Sequence, residues 1–355
     1  MELKRNKILQ GDCIEVLKTL PDKSVDLIFA DPPYNMQTDG DLLRTNGSIF
    51  NGVKDEWDKF SSLQSYDEFC KQWLIECKRV MKDDASIWVI GSFQNIFRLG
   101  YIMQDLGYWV LNDVIWSKPN AVPNFGGTRF QNSHETLLWC CKKKGAKYHF
   151  NYQTMKYLNG MRQMKSVWNI GICIGGERLK DENGDKIHST QKPEALLSYV
   201  ILSSSQIGDL VLDPFFGTGT TGAIAKKYGR DFLGIEKDEV YIEAALKRID
   251  KVVPVIDDVA NAVFDIKPPR VSVKKLLEIG IIREGQKLYN KDHSKFAIIL
   301  DDGKVSYEEH VGSIHSISAL MSNSSSCNGW KYFWCEQEGE FVSIDSLRYI
   351  VTKNS

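Results

Sequence analysis

The chain has 355 residues, of which 43% are hydrophobic, 26% charged and 11% aromatic, and its formal net charge is −1 at pH 7. This composition excludes a disordered, collagen-like or disulfide-scaffold protein, and the length predicts about two domains. The apolar runs are far shorter than the ~20 residues that a membrane span needs, and the charged N-terminus is unlike a secretory signal. We therefore expect a soluble, cytoplasmic protein whose eight cysteines are reduced and mostly in the core.

The predicted elements alternate between buried strands and helices over most of the chain. Hydrophobic patterning and turn residues predict strands, in chain order, at residues 7–12, 24–30, 86–92, 109–116, 135–140, 209–213 and 231–236. Apolar residues at helical spacing predict helices at 13–20, 66–81 and 191–206, one that starts near 220 and one that ends near 248. Such alternation is typical of a doubly wound α/β sheet.

Changes in composition predict a large α/β domain at residues 1–255, a linker at 256–270 and a small α+β domain at 271–355. The large domain contains a basic, irregular insert at about 118–187. Between residues 118 and 165, nine Lys and Arg accompany a single acidic residue, Glu135, and aromatic residues are interspersed. This mixture is typical of a nucleic-acid surface, where cations neutralise phosphates and rings stack on bases. A solvated charged face explains the charges equally well.

Residues 213–222, with the sequence DPFFGTGTTG, follow a predicted strand and begin a predicted helix. Gly217, Gly219 and Gly222 have the GxGxxG spacing that lets a backbone approach a nucleotide-like ligand. Glu236 ends the next predicted strand, where a carboxylate can accept hydrogen bonds from ribose hydroxyls. The pattern predicts a cofactor with a nucleoside part, and it leaves a dinucleotide-dependent dehydrogenase open as an alternative.

A second motif, DPPYN at residues 31–35, follows the strand predicted at 24–30. Its two prolines fix the backbone of a loop at a strand end. That geometry suits an exocyclic amino group, whose N–H bonds can go to the Asp31 carboxylate and the Pro32 carbonyl while the ring stacks on Tyr34. Holding both hydrogens out of the ring plane directs the nitrogen lone pair at an electrophile. A dehydrogenase does not explain this motif.

Together the two motifs resemble those of the amino-group DNA methyltransferases that use S-adenosylmethionine, and their order, catalytic motif first, resembles the beta class. Longer stretches are similar to the HinfI-type modification methylases and the CcrM-like cell-cycle-regulated methyltransferases, among them GDCIEVLKTLPDKSVDLIFADPPYN, WVIGSFQNIFR, LNDVIWSKPNAVPNFGGTRF, HETLLWC and HSTQKPEALL. The similarity extends from about residue 8 to residue 348. It implies an S-adenosylmethionine-dependent methyltransferase fold with a doubly wound, seven-stranded, mostly parallel sheet and circularly permuted motifs. The implied reaction is methyl transfer to adenine N6 in duplex DNA, within GANTC, by base flipping and direct in-line attack.

The resemblance also implies roles for individual residues. Those expected to be catalytic and to hold the flipped adenine are Asp31, Pro32, Pro33 and Tyr34. Those expected to bind S-adenosylmethionine are Asp12, Cys13, Asp31, Lys192, Asp213, Phe215, Gly217, Gly219, Thr220, Thr221 and Glu236. Those expected to contact DNA are Leu42, Leu43, Arg44, Asn124, Arg129, Ser313, Asn328, Trp330 and Arg348. Four of the last group belong to the C-terminal domain, which is therefore expected to bind DNA, although Trp330 fits a core position there equally well.

The expected partners are double-stranded DNA and a second copy of the chain in a homodimer, with no membrane, and the expected location is the cytoplasm, on the nucleoid. The resemblance leaves open whether a cognate restriction endonuclease acts on the same site. No metal-binding motif occurs, and methyl transfer from a sulfonium needs none. Cytosine-C5 methylation is excluded because the chain has no Pro-Cys pair to supply the thiolate nucleophile. Cytosine-N4 methylation and a non-catalytic DNA-binding protein remain as alternatives.

Overall fold

The computed structural model describes residues 4–35, 58–124, 126–266, 269–337, 339–348 and 350, together with the backbone of residues 42–43 and 49–50. The chain divides into two compact units, Met1–Asp265 and Ile266–Ser355. Among the helices of the described ranges, none combines the length and apolar character needed to cross a bilayer.

A mixed sheet organises the first unit. Its strands are β1 (Lys7–Gln10), β2 (Val25–Ala30), β3 (Leu42–Leu43), β4 (Ile49–Phe50), β5 (Met81–Gly91), β6 (Trp109–Ser117), β7 (His134–Cys141), β8 (Val167–Asn169), β9 (Leu210–Asp213) and β10 (Asp231–Glu236). Eight of these described strands form one sheet in the order β1–β10–β9–β2–β5–β7–β6–β8, and β3 pairs with β4. Neighbours are parallel from β1 to β5, whereas β7 runs antiparallel to β5 and β6.

The doubly wound, mostly parallel sheet predicted from the sequence is confirmed, with one correction to the strand count. The implied sheet has seven strands, whereas the observed sheet gains an eighth, β8, at its edge. Three residues of the basic insert pair in parallel with the end of β6, so that Trp168 lies opposite Trp116. The reason is burial: both indoles lie in the core, and the Trp116 indole donates to the Ile170 carbonyl at 2.7 Å.

Helices cover both faces of this sheet. They are α1 (Cys13–Thr19), α2 (Leu63–Val80), α3 (Ile96–Asp105), α4 (Tyr152–Leu158), α5 (Glu194–Ser204), α6 (Thr220–Lys227) and α7 (Glu239–Asp250). One core cluster contains residues of α1, α2 and α3, and the other contains residues of α5, α6 and α7. Helix α2 begins earlier than predicted because Ser62 and Ser65 form a reciprocal capping box at its N-terminus.

Strands β2 and β9, which lead into the two motifs, are direct neighbours. Leu27 pairs with Val211 and Ile28 with Leu212, in parallel. The carboxyl ends of both strands therefore lie at the same edge of the sheet, beside the point where the strand order reverses. This edge receives the loops that begin at Asp31 and Asp213.

The linker predicted at 256–270 begins later, because residues 256–265 fold onto the first unit. The guanidinium of Arg230 is buried and donates to the Ala260 carbonyl at 2.6 Å. The carboxylate of Asp265 accepts hydrogen bonds from the backbone N–H groups of Gln153 and Thr154, at 2.7 and 2.8 Å. The N-cap residue of helix α4 makes no capping hydrogen bond with its side chain. Asp265 instead accepts from backbone N–H groups of the first turn, which have no partner within the helix. A buried cation and an uncapped helix therefore hold this segment in place.

The second unit has the α+β composition predicted for it. Its strands are β11 (Lys287–Tyr289), β12 (Phe296–Ile299), β13 (Val305–Tyr307), β14 (His310–Gly312), β15 (Trp334–Gln337) and β16 (Glu340–Ser343). They form an antiparallel sheet in the order β14–β13–β12–β11–β15–β16. Its helices are α8 (Val273–Glu278), α9 (Ile314–Met321), α10 (Gly329–Tyr332) and α11 (Ile344–Leu347). They enclose a core of their own with the sheet.

Candidate active site

The DPPYN loop is held in place by hydrogen bonds to its backbone. The carboxylate of Asp58 accepts from the backbone N–H groups of Tyr34 and Asn35, at 2.6 and 2.8 Å. From the other side, the Tyr66 hydroxyl donates to the Pro33 carbonyl at 2.9 Å. Since the prolines already restrict φ, these bonds leave the loop with a single backbone path. Asp58 was not among the residues predicted from the sequence.

Asp31 and Lys192 form a buried ion pair at the end of β2. The ammonium nitrogen of Lys192 lies 2.6 Å from Oδ2 of Asp31 and 5.2 Å from the centre of the Tyr34 ring. Two of the residues predicted to be catalytic, Asp31 and Tyr34, thus lie beside one ammonium group. Lys192 was predicted beside the cofactor, and the structure places its ammonium on the Asp31 carboxylate.

Glu135 and Lys118 extend this pair into a buried network of four charges. Oε2 of Glu135 accepts from the Tyr34 hydroxyl at 2.9 Å and lies 4.0 Å from the Lys192 ammonium, while Oε1 pairs with Lys118. Neither residue was predicted to belong to the site. The available signal was that Glu135 is the single acidic residue among the basic residues of the insert.

The pKa values of the network follow from burial and pairing. Burial raises the pKa of Asp31, and Lys192 offsets part of this rise. For Glu135, burial alone would raise the pKa, but the ammonium groups of Lys192 and Lys118 outweigh it and the pKa falls. For Lys192, the carboxylates outweigh burial and raise the pKa of the ammonium. Burial and the same carboxylates raise the pKa of Tyr34 well above its ordinary value, so its hydroxyl remains a donor.

The glycine loop between β9 and α6 lies beside this network. Gly217 and Gly219 both have positive φ, at 50° and 76°, a conformation that glycine adopts without strain. The backbone N–H of Gly217 donates to Oε2 of Glu236 at 2.7 Å, which joins the loop to the end of β10. Asp213 is buried, and its carboxylate accepts from the Thr221 hydroxyl at 2.6 Å. It also accepts from the Phe215 N–H at 2.9 Å.

The remaining predicted cofactor residues lie at the starts of α1 and α6. Asp12 caps α1 by accepting from the Ile14 N–H at 3.0 Å, next to Cys13, whose pKa burial raises to about 12. The Thr220 hydroxyl donates to the Lys192 carbonyl at 3.3 Å and accepts from Arg248 at 2.8 Å. The start of α6 is thereby tied to the segment that carries Lys192.

These residues fit S-adenosylmethionine in three respects. Glycines with positive φ leave the backbone of the loop open to a nucleoside, and a carboxylate follows at the end of β10. The buried acidic group of Asp31 suits a ligand with a positively charged sulfur. The amide oxygen of Asn35 is buried and has no hydrogen-bond partner among the described residues. Orphaned buried acceptors of this kind are typical of sites that receive a ligand.

The residues predicted to contact DNA in the first unit are only partly described. Leu42 and Leu43 form β3, which pairs with Phe50 and Ile49, and their side chains and Arg44 lie outside the described residues. In the glycine-containing loop, the Asn124 side chain donates to the Arg129 carbonyl at 2.9 Å. The Arg129 guanidinium lies over the ring of Phe93, 5.5 Å from its centre.

The four residues predicted to contact DNA in the second unit all stabilise that unit. Ser313 and Asn328 are the N-cap residues of α9 and α10, and each accepts a backbone N–H with its side chain. Trp330 is 9% exposed and lies in the core of the unit, which was the alternative to DNA contact for this residue. The Arg348 guanidinium lies 4.6 Å from the centre of the Trp330 ring and donates to the Pro269 carbonyl at 2.6 Å.

Two family models match the chain, one in the first unit and one mainly in the second. Residues 25–247 match the family model of DNA methylases, and residues 256–354 match the model described as Restriction Enzyme Adenine Methylase Associated. The Type II methyltransferase M.HinfI of Haemophilus influenzae is 57% identical over 347 residues, which cover 98% of this chain and 97% of that protein. The Type II methyltransferase M2.DpnII of Streptococcus pneumoniae is 39% identical over 69% of this chain and 91% of its own length.

A solved structure has the same fold. The crystal structure of the M1.HpyAVI–SAM complex is similar with a TM-score of 0.51 at 25% identity, over 69% of this chain and 98% of that one. This likeness confirms the methyltransferase fold predicted for the first unit. With a family model that covers more than half of the sequence and a relative aligned along nearly all of it, the chain belongs to the DNA methylase family.

Proposed function

We propose that this DNA methylase transfers the methyl group of S-adenosylmethionine to N6 of adenine in duplex DNA, within the sequence GANTC. The observation that carries the proposal is the placement of the DPPYN loop and the glycine loop at the ends of neighbouring strands, β2 and β9. Adenine is favoured over cytosine N4 because residues 256–354 match a family associated with restriction-enzyme adenine methylases. GANTC is favoured by the similarity to M.HinfI along nearly the whole chain.

In this reaction the target adenine leaves the stacked duplex, which costs a few kcal/mol, and Tyr34 stacks on it in the pocket. The Asp31 carboxylate and the Pro32 carbonyl accept the two N–H bonds of the amino group. The nitrogen lone pair then forms the N–C bond in line with the breaking S–C bond, and Asp31 accepts the proton that N6 releases. Burial of Asp31 strengthens these contacts, because few water molecules compete there.

The bound S-adenosylmethionine supplies a methyl group activated by a positively charged sulfur. We assign Glu236 to its ribose and Asp12 to its adenine. The backbone of Gly217 and Gly219 and the start of α6 line the methionine end. The hydrogen bond from the Gly217 N–H to Glu236, at 2.7 Å, supports the assignment of Glu236, because it holds this carboxylate beside the glycine loop.

The test is transfer of tritiated methyl from S-adenosylmethionine to duplex oligonucleotides that contain GANTC or a version with one base changed. We expect label in N6-methyladenine from the GANTC duplex and little from the altered ones. Label in N4-methylcytosine would overturn the base assignment. Equal labelling of altered sites would overturn the site assignment while leaving the reaction class intact.

We also propose that the second unit contributes to DNA recognition together with Asn124, Arg129 and the loop at residues 38–60. Side chains of these types read purine edges or grip phosphates. The second unit is stabilised by Ser313, Asn328, Trp330 and Arg348. These residues would therefore contribute to DNA recognition by maintaining the structure of the surface that contacts DNA. A chain that ends at Asp265 should still bind S-adenosylmethionine but lose methylation of GANTC. Retention of full sequence preference by that chain would refute this role.

For assembly we propose a homodimer. Helix α3 exposes Phe97 and Tyr101, one turn apart, at 78% and 67% of their surface, which supports a further protein contact. A single 40.5 kDa species with full activity in sedimentation at micromolar concentration would contradict the homodimer.

Because the proposed substrate is duplex DNA, we expect the protein on the nucleoid. Methylation of the same site would protect it from a cognate restriction endonuclease.

A further inference from the structure

The Lys192 ammonium occupies the position that the proposed function gives to the target amino group. It donates to the Asp31 carboxylate at 2.6 Å, as the exocyclic amino group would, and it lies over the Tyr34 ring, on which the target base would stack. An amino group that donates to this carboxylate while its base stacks on the Tyr34 ring competes with the ammonium for the same space, so we expect the ammonium to move when the base enters.

The backbone around Lys192 is fixed, which restricts this movement to the side chain. Its carbonyl accepts the Thr220 hydroxyl at 3.3 Å, and Pro193 directly precedes α5. The side chain is 8% exposed, so the displaced ammonium is not free to enter bulk water. An unpaired buried charge is strongly destabilising, and the ammonium therefore needs a second carboxylate.

Glu135 is that carboxylate by position and by charge. Its Oε2 lies 4.0 Å from the Lys192 ammonium, and its side chain is 12% exposed. Lys118 pairs with the other oxygen and the Tyr34 hydroxyl donates to Oε2, so the glutamate is held in one orientation. The carboxylate that would receive the ammonium is therefore already within 4.0 Å of it.

We propose that Glu135 is a positioning residue for entry of the target base: it receives the Lys192 ammonium when the amino group takes the Asp31 carboxylate. The inference rests on the proposed function, because it assumes an amino group as the substrate of Asp31. The lysine thus keeps the buried carboxylate paired before DNA binds, and the glutamate keeps the lysine paired afterwards.

The experiment measures how strongly the protein prefers adenine over purine, which lacks the 6-amino group, at the target position of a GANTC duplex. Binding is measured with S-adenosylhomocysteine present, for the wild type and for Glu135→Gln. Glutamine keeps the shape of the side chain and an acceptor for the Tyr34 hydroxyl but removes the charge. We expect the preference for adenine to fall on the order of tenfold in Glu135→Gln, while binding of S-adenosylhomocysteine to the protein alone stays within about twofold.

Two further variants keep the result interpretable. Glu135→Asp retains the charge and should recover part of the preference. Adding Lys192→Met to Glu135→Gln removes the ammonium that blocks Asp31 and should also recover part of it. An unchanged preference in Glu135→Gln, or no recovery in the double variant, would overturn the inference. A wild-type protein that neither prefers adenine nor methylates GANTC would instead overturn the proposed function.

Discussion

The ammonium of Lys192 and the carboxylate of Asp31 lie 2.6 Å apart, although 161 residues separate them in the sequence. The pair joins the end of β2 to the segment that precedes α5. Because Glu135 lies 4.0 Å from the same ammonium, two carboxylates share one lysine within the first unit. This arrangement makes the response of the site to single substitutions predictable.

Asp31→Ala should reduce methyl transfer on the order of 10²-fold or more while the protein still folds and binds S-adenosylmethionine. The substitution removes the acceptor of the amino group, and Glu135 remains to pair with Lys192. Single-turnover methylation and cofactor titration measure the two effects separately. Asp31→Asn, which keeps the shape without the charge, is the matched control. Methylation at nearly the wild-type rate by Asp31→Ala would refute the mechanism.

Asp58→Ala should slow methylation and reduce the free energy of unfolding by about 2 kcal/mol, because two partly buried backbone donors lose a charged acceptor. Asp58→Asn retains one side-chain oxygen and should lose less on both counts. Urea unfolding gives the stability and initial rates give the activity. If Asp58→Ala were as active as the wild type, the loop would not depend on this support.

Gly219→Ala should weaken cofactor binding and reduce the free energy of unfolding by about 1–3 kcal/mol. A Cβ at this position would lie 2.7 Å from the Cβ of Ala245, and the residue has φ of 76°. Gly176→Ala is the control, since a Cβ there meets nothing within 4 Å. Equal stability and equal cofactor affinity of the two variants would show that the close approach at Gly219 is relieved elsewhere.

Asp213 should make stability depend on pH. Burial raises the pKa of its carboxyl from 3.8 to about 7. Between these values the folded protein holds a proton that the unfolded chain releases, so the free energy of unfolding falls as the pH rises. The substitution Asp213→Asn removes the group that titrates. The difference in free energy of unfolding, variant minus wild type, should therefore be larger at about pH 8 than at about pH 5. Urea unfolding of both proteins at both pH values measures this difference. An equal difference at the two pH values would contradict the prediction.

The parts of the site that the sequence predicted are those coded by neighbouring residues. Asp31 and Tyr34 belong to one short motif, and Gly217 and Gly219 to another. The prolines and glycines in these motifs restrict the local backbone. Their meeting was also predictable, since both motifs follow buried strands and ligands gather at the carboxyl ends of parallel strands.

The parts that the sequence did not predict depend on contacts between distant segments. Glu135 reaches Tyr34 from the start of β7, and Asp58 reaches the same loop from the segment that precedes α2. No spacing within the chain indicates such pairs. The capping roles of Ser313 and Asn328 did have a local signal, because Ser and Asn are preferred directly before a helix. The elements α4 and β8 were not predicted, because segments as short as these show no clear periodicity.

The order of the strands also governs when the protein can become active during its synthesis. Leu210 in β9 donates to the Asp26 carboxylate in β2 across 184 residues. At the usual speed of translation the ribosome needs roughly 10–40 s to add that many residues. During this interval the apolar strand β2 can pair with β5 but lacks its other neighbour. A nascent chain therefore carries an exposed sheet edge from the synthesis of β5 until that of β9, and an unpaired edge of this kind is prone to aggregation until its neighbour covers it.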